Sequence, residues 1–488
     1  MVTDLSNTPS LISYLKENFN LENFNYFIQS AKNKLRKYNK SGWTENFNKS
    51  FEVHRNQTLE SIERGQYLFS PFKLKMVPTK INKIRRVSVV NINDAFLDRL
   101  IFNYINGLSQ SPHYNSVHSI SINIKQNIKK GKSYFLRVDI ENFFESLNHS
   151  FILDIIKSYG DKNLTEVINS FLVTPWIWED KSEDEIFCVG GKNELGVPPG
   201  SAISQGLSDI YLRAFDKSIL EYAKNKGDVY YRYTDDICYL STDREKIIKV
   251  KERVEKELSK VKLKINVSKL SYGNIEEEFD YLGFNHSKQG IRLSNDSLNY
   301  IKNKFILIYK SVHPKKSAYP STKCFDACST NFREGFNFWR ILSLRINSAI
   351  RGYTNLWNNS ESYKETVYGL ARYICIVDDF RQIKIMDKWL RKLNKYYCYK
   401  ICEDAQYPKT FVELDSLYNW FWRYKKNPNS AIKLAYKRYK SIYYDESKEK
   451  NENDFVRILG HDYIVVDGLY YDNEDKILFK IPDGFNLS

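Results

Sequence analysis

Two adjacent carboxylates, Asp235 and Asp236, occur in the stretch YRYTDDICYLS, which otherwise has the alternating pattern of a β-hairpin. Adjacent acids at a tight turn repel each other, and a bound cation offsets this repulsion. Hard divalent ions such as Mg²⁺ prefer carboxylate oxygens, and two ions about 4 Å apart can hold the attacking and leaving oxygens of a phosphoryl transfer. The pair therefore indicates metal-assisted phosphoryl transfer. The alternative is a solvated turn with two acids.

Asp139 supplies the third carboxylate that such a site requires. It lies near the end of an apolar run, Tyr134 to Ile140, which predicts a buried β-strand, and the aromatic segment ENFF follows. Because a strand end can lie beside a hairpin tip, we expect Asp139 to converge with Asp235 and Asp236.

The elements that must position these acids alternate between strands and helices. The strand leads into the helix HSFILDIIKSYG, the cluster ELGVPPGSAIS opens a helix from Ile203 to Ala223, and the hairpin precedes the charged helix DREKIIKVKERVEKELSKV. This order predicts an α+β fold, with a small mixed sheet and helices on one face. Upstream, KLKMVPTKINKIRRVSVV predicts two cationic strands joined by a turn at Ile81 and Asn82.

The composition favours a polyanionic partner. The 488 residues carry a formal net charge of +15 with 15% aromatic residues, so phosphate-binding cations and base-stacking rings are both abundant. The seven scattered cysteines do not match a secreted disulfide framework, and no run of 18 apolar residues or secretory leader is present in the sequence. We therefore expect a cytoplasmic protein with no membrane partner.

Six ordered motifs lie between Tyr67 and Phe284: VPTKINKIRRVSVV, RVDIENFFESLNHSFI, GVPPGSAISQGLSDIYL, YRYTDDICYLS, LKINVSKLSYGN and FDYLGF. In this order they resemble the finger strands, the four palm motifs and the primer-grip hairpin of the reverse transcriptases. The resemblance implies a right-hand polymerase palm and fingers. It also implies dNTP polymerisation that is either RNA-directed or template-independent.

The resemblance assigns metal and proton-transfer roles to individual residues. It implies that Asp139 and Asp235 bind two Mg²⁺ ions, for which Mn²⁺ can substitute, with Asp236 as the neighbouring acid and Ile140 as a further metal ligand. Lys269, in VSKL, matches the lysine of the fourth palm motif and is a candidate general acid for the pyrophosphate leaving group. The alternative for Lys269 is a surface lysine.

The same resemblance assigns phosphate contacts to the finger strands. Lys80 and Arg85 would lie along the β- and γ-phosphates of the incoming nucleotide, Arg85 with its planar fork and Lys80 as a point charge. Lys83 and Arg86 compete for these roles.

Three further residues are implied to bind the nucleotide. Phe144, five residues after Asp139, matches the steric gate that crowds a ribose 2′-OH and so predicts deoxynucleotide preference; a core ring is the alternative. Gly200 is expected to allow close backbone approach to the nucleotide and template, and Ser201 beside it is assigned to the nucleotide site.

The second palm motif departs from the common P-Q-G…S-P pattern. It carries Pro199 in place of the Gln that helps to hold the nucleotide, and Gln205 follows Ser204, a pair familiar from diversity-generating retroelement enzymes. No retron signature, nuclease or RNase H constellation is recognisable. This architecture resembles the bacterial abortive-infection and defence-associated reverse transcriptases, of group II intron-like ancestry.

The C-terminal part interleaves aromatic and basic residues, as in GFNFWRILSLRINSAIRGYTNLW and RYKKNPNSAIKLAYKRYKSIYY. Such helices can follow a nucleic-acid backbone while rings accept bases, although a solvated basic face is the alternative. The nucleic-acid-binding residues that we predict in the second segment are Arg423, Lys425, Lys433, Lys437 and Arg438.

These observations predict four regions: a helical N-terminal region (1–64), fingers and palm (65–286), a helical nucleic-acid-binding domain (287–455) and a short β-hairpin tail (456–488). We expect a DNA polymerase that acts in bacterial antiphage defence. Its partners would be dNTPs, an RNA template or noncoding RNA, and a DNA product, and the chain could form a homo-oligomer. The alternatives are a diversity-generating or intron-derived reverse transcriptase of a mobile element, and a catalytically silent RNA-binding scaffold.

Overall fold

The computed structural model describes residues 9–25, 27, 43–80, 83–109, 116–178, 194–311, 342–343, 345–355, 365–405, 412–431, 434–435, 464–466 and 469–471. The chain forms two compact units. Unit 1 comprises Met1–Leu282 and His286–Lys288, and unit 2 comprises Gly283–Asn285 and Gln289–Ser488. Both helices and strands build unit 1, so the α+β prediction is confirmed. The four predicted regions stay a prediction.

The central sheet of unit 1 has four antiparallel strands, whose order is β5 (Val229–Tyr233), β6 (Asp236–Ser241), β3 (Tyr134–Asp139) and β7 (Ser271–Asn274). Strand β6 lies inside the sheet, and every residue from Ile237 to Ser241 is buried, which explains the apolar sequence ICYL after the two acids.

A second sheet of unit 1 contains the predicted cationic strands. Strands β1 (Phe72–Lys80) and β2 (Lys83–Val89) pair antiparallel, with Lys80 opposite Lys83, so the predicted hairpin is confirmed; its turn at Ile81 and Asn82 lies outside the described residues. Strand β4 (Trp176–Trp178) adds to β1 in parallel.

Ten helices are described in unit 1. Nine of them share one core with the sheet residues Leu136, Val138 and Ile237, and the helix Val117–Lys129 packs in a second core with Phe135 and Leu240. The predicted helix from Ile203 to Ala223 is wrong in one respect, because it is broken at Leu212. Leu212 is fully buried, and the packing of this corner overrides the continuous helical pattern. The helices are α1 (Leu11–Asn18), α2 (Trp43–Glu63), α3 (Ile92–Ser109), α4 (Val117–Lys129), α5 (Phe143–Ser146), α6 (His149–Lys157), α7 (Lys162–Val173), α8 (Ala202–Tyr211), α9 (Arg213–Asn225) and α10 (Arg244–Lys260).

Strand β8 (Phe279–Tyr281) belongs to unit 1, and the division between the units falls within the segment that follows it, which contains β9 (Phe284–Ser287). Among the described residues no helix is long and apolar enough to cross a membrane. The elements of unit 2 are β10 (Gly290–Leu293), α11 (Asn295–Ser311), β11 (Gly352–Asn355), β12 (Glu365–Tyr368), α12 (Leu370–Tyr373), α13 (Phe380–Ala405), α14 (Leu417–Lys426), β13 (Ile464–Val466) and β14 (Leu469–Tyr471).

His286 makes the stability of unit 1 depend on pH. Its ring is fully buried and stacks on Phe279 with 5.4 Å between ring centroids, and burial lowers the pKa of His286 to about 4. Because the folded-state pKa lies below the ordinary value of 6.5, the unfolded chain takes up the proton first, and stability falls as the pH is lowered from about 6.5 to 4. Between pH 7.5 and pH 5.0 this group should remove about 2 kcal/mol.

We expect His286→Phe to lose this contribution, so that its urea midpoint changes less between pH 7.5 and pH 5.0 than that of the wild type. Gly200→Ala is the control, because it should lower stability without removing a titratable group. Equal pH dependence in the wild type and His286→Phe would contradict the prediction.

Candidate active site

The register of the central sheet brings the three predicted acids together. Asp139, the last residue of β3, is the cross-strand partner of Asp236, the first residue of β6. Asp235 lies in the turn just before β6, and its carbonyl oxygen accepts a hydrogen bond of 3.2 Å from the backbone N–H of Ile140. The strand end and the hairpin tip therefore meet at one edge, as the sequence predicts.

The Asp139 carboxylate forms an ion pair with Lys269. The Nζ atom of Lys269 lies 2.7 and 2.6 Å from the two carboxylate oxygens, and the Asp139 side chain is only 7% exposed. The chain reaches this position because the backbone N–H of Asn266 donates to the Asp139 carbonyl at 2.8 Å, and a 3₁₀ turn over Val267–Lys269 follows. The structure thus places Lys269 beside Asp139, and its role as a general acid stays a prediction.

Asp236 lies in a strongly electrostatic environment. Burial raises the pKa of the Asp236 carboxyl, the guanidinium of Arg137 lowers it, and the negative charge of Asp139 raises it again. The Nη2 atom of Arg137 lies 3.2 Å from the Asp236 carboxylate. Arg137 was not predicted, although it precedes Asp139 by two residues on the same strand face, which is the available signal.

These carboxylates have the chemistry of a divalent metal site. Hard carboxylate oxygens are the donors that Mg²⁺ prefers. Because the negative charge of Asp139 raises the pKa of Asp236, a cation between the two carboxylates would be favourable. Within the part of the chain that the structure describes, no three His, Cys, Asp or Glu side chains are arranged to hold a metal ion; Lys269 and Arg137 contact the acids instead. The metal roles of Asp139, Ile140, Asp235 and Asp236 therefore stay predictions.

A buried arginine, which was also not predicted, supports the turn that carries Asp235. Thr234 has φ +57°, in the left-handed region, and its carbonyl accepts a hydrogen bond of 2.8 Å from Arg232. The Arg232 guanidinium is 3% exposed and makes two hydrogen bonds, of 2.8 and 2.6 Å, to the buried carboxylate of Asp216 on α9. Arg232 follows buried Tyr230 by two residues in β5 and lies on the same face of the strand, so the strand period predicts its inward position.

Phe144 lies just after the strand that ends at Asp139. Asn142 has φ +43° and turns the chain into α5, where Phe143 is buried and Phe144 is half-buried. The two rings lie 5.4 Å apart, and Phe144 packs partly against the hydrophobic core. Its partly exposed ring is compatible with the steric-gate prediction, which stays a prediction.

Gly200 serves a contact within the protein. Its φ is +109°, and a Cβ atom placed there would lie 2.8 Å from Val87 Cγ1 and 2.9 Å from the Ser88 carbonyl oxygen. The adjacent Pro199 carbonyl accepts a hydrogen bond of 2.5 Å from the Ser88 N–H. Strand β2 therefore fills the space on this side of Gly200, where we predicted that a nucleotide would approach the backbone closely.

We expect Gly200→Ala to lower the free energy of unfolding by at least about 2 kcal/mol, because it adds backbone strain and a clash with β2. Gly107→Ala is the matched control. Gly107 lies in α3 with open space around its Cα, so alanine there should be neutral or stabilise by up to about 1 kcal/mol. Urea unfolding of both variants measures the difference, and equal stabilities would contradict the prediction.

Ser201 also has a structural role. Its hydroxyl donates to Asp98 at 2.5 Å, and the same carboxylate accepts from the backbone N–H groups of Ala202 and Ile203 at 2.8 and 3.0 Å. Burial raises the pKa of Asp98 and these hydrogen bonds lower it. The Ser201 side chain is thus committed to the N-terminus of α8 and its hydroxyl is not placed as a nucleotide ligand. Asp98 had no recognisable signal in the helical pattern DAFLDRL.

The predicted phosphate-binding residues of the fingers lie near the end of the β1–β2 hairpin. Lys80 is opposite Lys83, and Arg85 is opposite Val77. The side chains of Lys80 and Arg85 lie outside the described residues, so their phosphate contacts stay predictions.

Two of the predicted basic residues of the C-terminal part make contacts within unit 2. The Arg423 guanidinium lies 5.0 Å from the Trp420 ring, and the Lys425 Nζ donates to the Val377 carbonyl at 2.6 Å and lies 3.8 Å from Asp378. Lys425 is therefore held by the protein, which leaves it poorly placed for a nucleic acid. Lys433, Lys437 and Arg438 lie outside the described residues.

Comparison with known proteins agrees with this geometry. The family described as reverse transcriptase (RNA-dependent DNA polymerase) matches residues 75–286. The chain is 25% identical over 191 residues to the putative COX1/OXI3 intron 1 protein of Saccharomyces cerevisiae, covering 36% of this chain and 22% of that protein. It is 25% identical over 210 residues to the Retron Ec86 reverse transcriptase of Escherichia coli, covering 42% of this chain and 59% of that protein.

Among solved structures, apo telomerase from Candida tropicalis is similar with a TM-score of 0.41 and 12% identity, covering 80% of this chain and 68% of that chain. The chain spans less than two thirds of the length of both curated relatives. The family match begins within β1 and ends within β9, and it includes Asp139, Asp235 and Asp236. Residues 75–286 of this chain are therefore similar to the reverse transcriptase family.

Proposed function

We propose that this chain is a DNA polymerase of the reverse transcriptase type. The observation that carries the proposal is the cross-strand pairing of Asp139 with Asp236, with Asp235 in the adjoining turn, inside the reverse transcriptase domain. Phosphoryl transfer depends mainly on positioning and on neutralising charge, which adjacent acids accomplish through bound cations. Two Mg²⁺ ions, for which Mn²⁺ can substitute, would supply the electrostatic stabilisation of the attacking and leaving oxygens.

Each residue of the proposed metal site would have its own role. Asp139, Asp235 and Asp236 would hold the ions, with Ile140 as a further ligand, and the Arg137 guanidinium would orient Asp236. Arg232 would keep the turn in its left-handed conformation through the Thr234 carbonyl.

Two further residues would act on the incoming nucleotide. Lys269, which lies 2.6 Å from Asp139 here, would leave this carboxylate when a cation binds and carry its proton toward the leaving group. Phe144 would disfavour ribonucleotides.

The test is incorporation of labelled dNTPs by the purified full chain with Mg²⁺, measured on an RNA template with a DNA primer and without any template. We expect incorporation that chelation by EDTA removes and that favours dNTPs over rNTPs. Absence of incorporation in both arms, with Mg²⁺ and with Mn²⁺, would favour the silent RNA-binding scaffold and overturn the proposal.

The biological setting that we propose is bacterial antiphage defence. The support is the resemblance of a reverse transcriptase-like palm joined to a helical C-terminal part, without a recognisable nuclease or RNase H constellation in the sequence. A reverse transcriptase of a mobile element is the rival, because curated relatives include an intron protein and a retron enzyme. Sequencing the nucleic acid that copurifies with the chain separates the two, since an element-derived transcript would favour the rival.

A further inference from the structure

Helix α13 of unit 2 has two faces of opposite character. One face packs inward, with Ile383, Leu390 and Leu393 almost fully buried. Tyr397 on this face stacks on Tyr309, with ring centroids 5.1 Å apart and planes 10° apart. These contacts fix which side of the helix points away from the interior of unit 2.

The opposite face is exposed and positively charged. Asp387 is the one acid of α13 before position 401, and it is buried, where it accepts hydrogen bonds from the Leu417 N–H at 2.7 Å and from Arg391 at 3.2 Å. Among the residues described with side chains on α13, the exposed face therefore carries seven cations and no acid. Its members are Arg381, Lys384, Ile385, Lys388, Arg391, Lys392, Lys395, Tyr396, Tyr399 and Lys400, which we call the α13 basic face.

The spacing of these residues makes a continuous stripe. Each member has another member three or four positions away, and such pairs lie one turn apart on the same side of the helix. From Arg381 to Tyr399 the stripe is about 27 Å long at 1.5 Å per residue. A duplex strand presents one phosphate per about 3.4 Å, so a stripe of this length can follow several phosphates of one strand.

Two tyrosines within the stripe indicate more than attraction to phosphates. Tyr399 is 53% exposed and Tyr396 is 36% exposed, and the Lys400 Nζ lies 5.8 Å from the centre of the Tyr396 ring. Exposed rings between cations are the combination on which unpaired bases stack while the backbone is neutralised.

Other partners fit the α13 basic face less well. A membrane-surface helix inserts its apolar face between lipids, but the apolar face of α13 is buried within unit 2. Lysine is depleted in the cores of protein–protein interfaces, whereas this face has lysine at Lys384, Lys388, Lys392 and Lys395. Charge and aromatic exposure together favour a nucleic acid with unpaired bases.

We propose that the α13 basic face binds single-stranded nucleic acid, with phosphates along its lysines and bases on Tyr396 and Tyr399. This site goes beyond the proposed polymerase function, because binding here requires no catalysis. It also differs from the segment predicted from the sequence, whose Lys425 is held by Val377 and Asp378.

The test measures binding of the full chain to fluorescein-labelled dT20 and U20 by anisotropy, without divalent ions or dNTPs, across a salt series. The triple variant Lys388→Gln, Lys392→Gln, Lys395→Gln should weaken binding at least about tenfold at 100 mM salt and reduce the slope of log K against log salt by about two. Tyr399→Ala should weaken binding about fivefold or more and leave the slope unchanged.

The matched control is Lys224→Gln, Lys249→Gln, Lys256→Gln, which removes the same charge from exposed positions of unit 1 and should change affinity less than twofold. Circular dichroism of each variant verifies folding, which these exposed positions should not affect. A triple α13 variant that binds like this control would overturn the proposal.

Two other outcomes would also overturn it. Loss of binding in the triple variant alone, with Tyr399→Ala unchanged and heparin competing as well as dT20, would identify a general polyanion surface. Binding of vesicles containing phosphatidylserine that depends on the same lysines would identify a membrane surface. Because these measurements use no dNTPs, their result is independent of whether the chain polymerises DNA.

Discussion

Asp139→Asn should reduce dNTP incorporation at least about a thousandfold, equivalent to about 4 kcal/mol of transition-state stabilisation. Asparagine has nearly the same size and removes only the charge, so the acid opposite Asp236 no longer attracts a cation. The Lys269 ammonium also loses its partner at 2.6 Å, which should leave it free to move. Single-turnover incorporation with saturating Mg²⁺ measures the effect.

Glu245→Gln is the control for this variant, because it removes one exposed acid from the first turn of α10. Its rate should stay within about twofold of the wild type. If Asp139→Asn kept more than a tenth of the wild-type rate, Asp139 would not be a metal ligand, whereas an inactive wild type would count against the polymerase proposal itself.

Arg232→Met should be the most destabilising of these substitutions, lowering the free energy of unfolding by about 3–5 kcal/mol. It leaves the Asp216 carboxylate, only 4% exposed, without the cation that makes two hydrogen bonds to it. It also removes the donor to the Thr234 carbonyl, so the turn with Asp235 should lose its fixed conformation. Urea unfolding and dNTP incorporation measure the two consequences separately.

Two further variants test this explanation. The double variant Arg232→Met, Asp216→Leu removes both charges and should recover much of the lost stability, but not the rate. Arg253→Met is the control substitution. Arg253 lies 4.8 Å from the Tyr222 ring and donates a hydrogen bond to Ser218. Its loss leaves no buried carboxylate without a partner, so the free energy of unfolding should change by no more than about 1 kcal/mol. Similar losses in Arg232→Met and Arg253→Met would refute the role of the buried pair.

The sequence predicted the convergence of Asp139 with Asp236 because each acid ends or begins a strongly apolar strand. Side-chain periodicity and the adjacent turn then leave few possible registers, and the observed one places the acids opposite each other. The same reasoning missed the break at Leu212, where burial of the helix corner outweighs local helical preference.

Roles that depend on long-range packing were not predictable. Ser201 and Gly200 fit a nucleotide motif, but the partners that decide their roles, Asp98 and Ser88, are about a hundred residues away in the chain. The α13 basic face could not be predicted from the sequence either, because a run such as RKLNKYYCYK shows neither which residues are buried nor that Asp387 is buried.

The anchoring of Pro199 and Ser201 restricts how the fingers can close. The Ser88 N–H binds the Pro199 carbonyl, and Asp98 of α3 binds three donors at the start of α8, so the base of the β1–β2 hairpin, α3 and α8 should move as one rigid body. If the chain binds a nucleotide as we propose, a movement of the hairpin that admits it would have to occur farther along the strands than Ser88. The strand ends next to α3 and α8 would then keep the same position in the free and the nucleotide-bound protein.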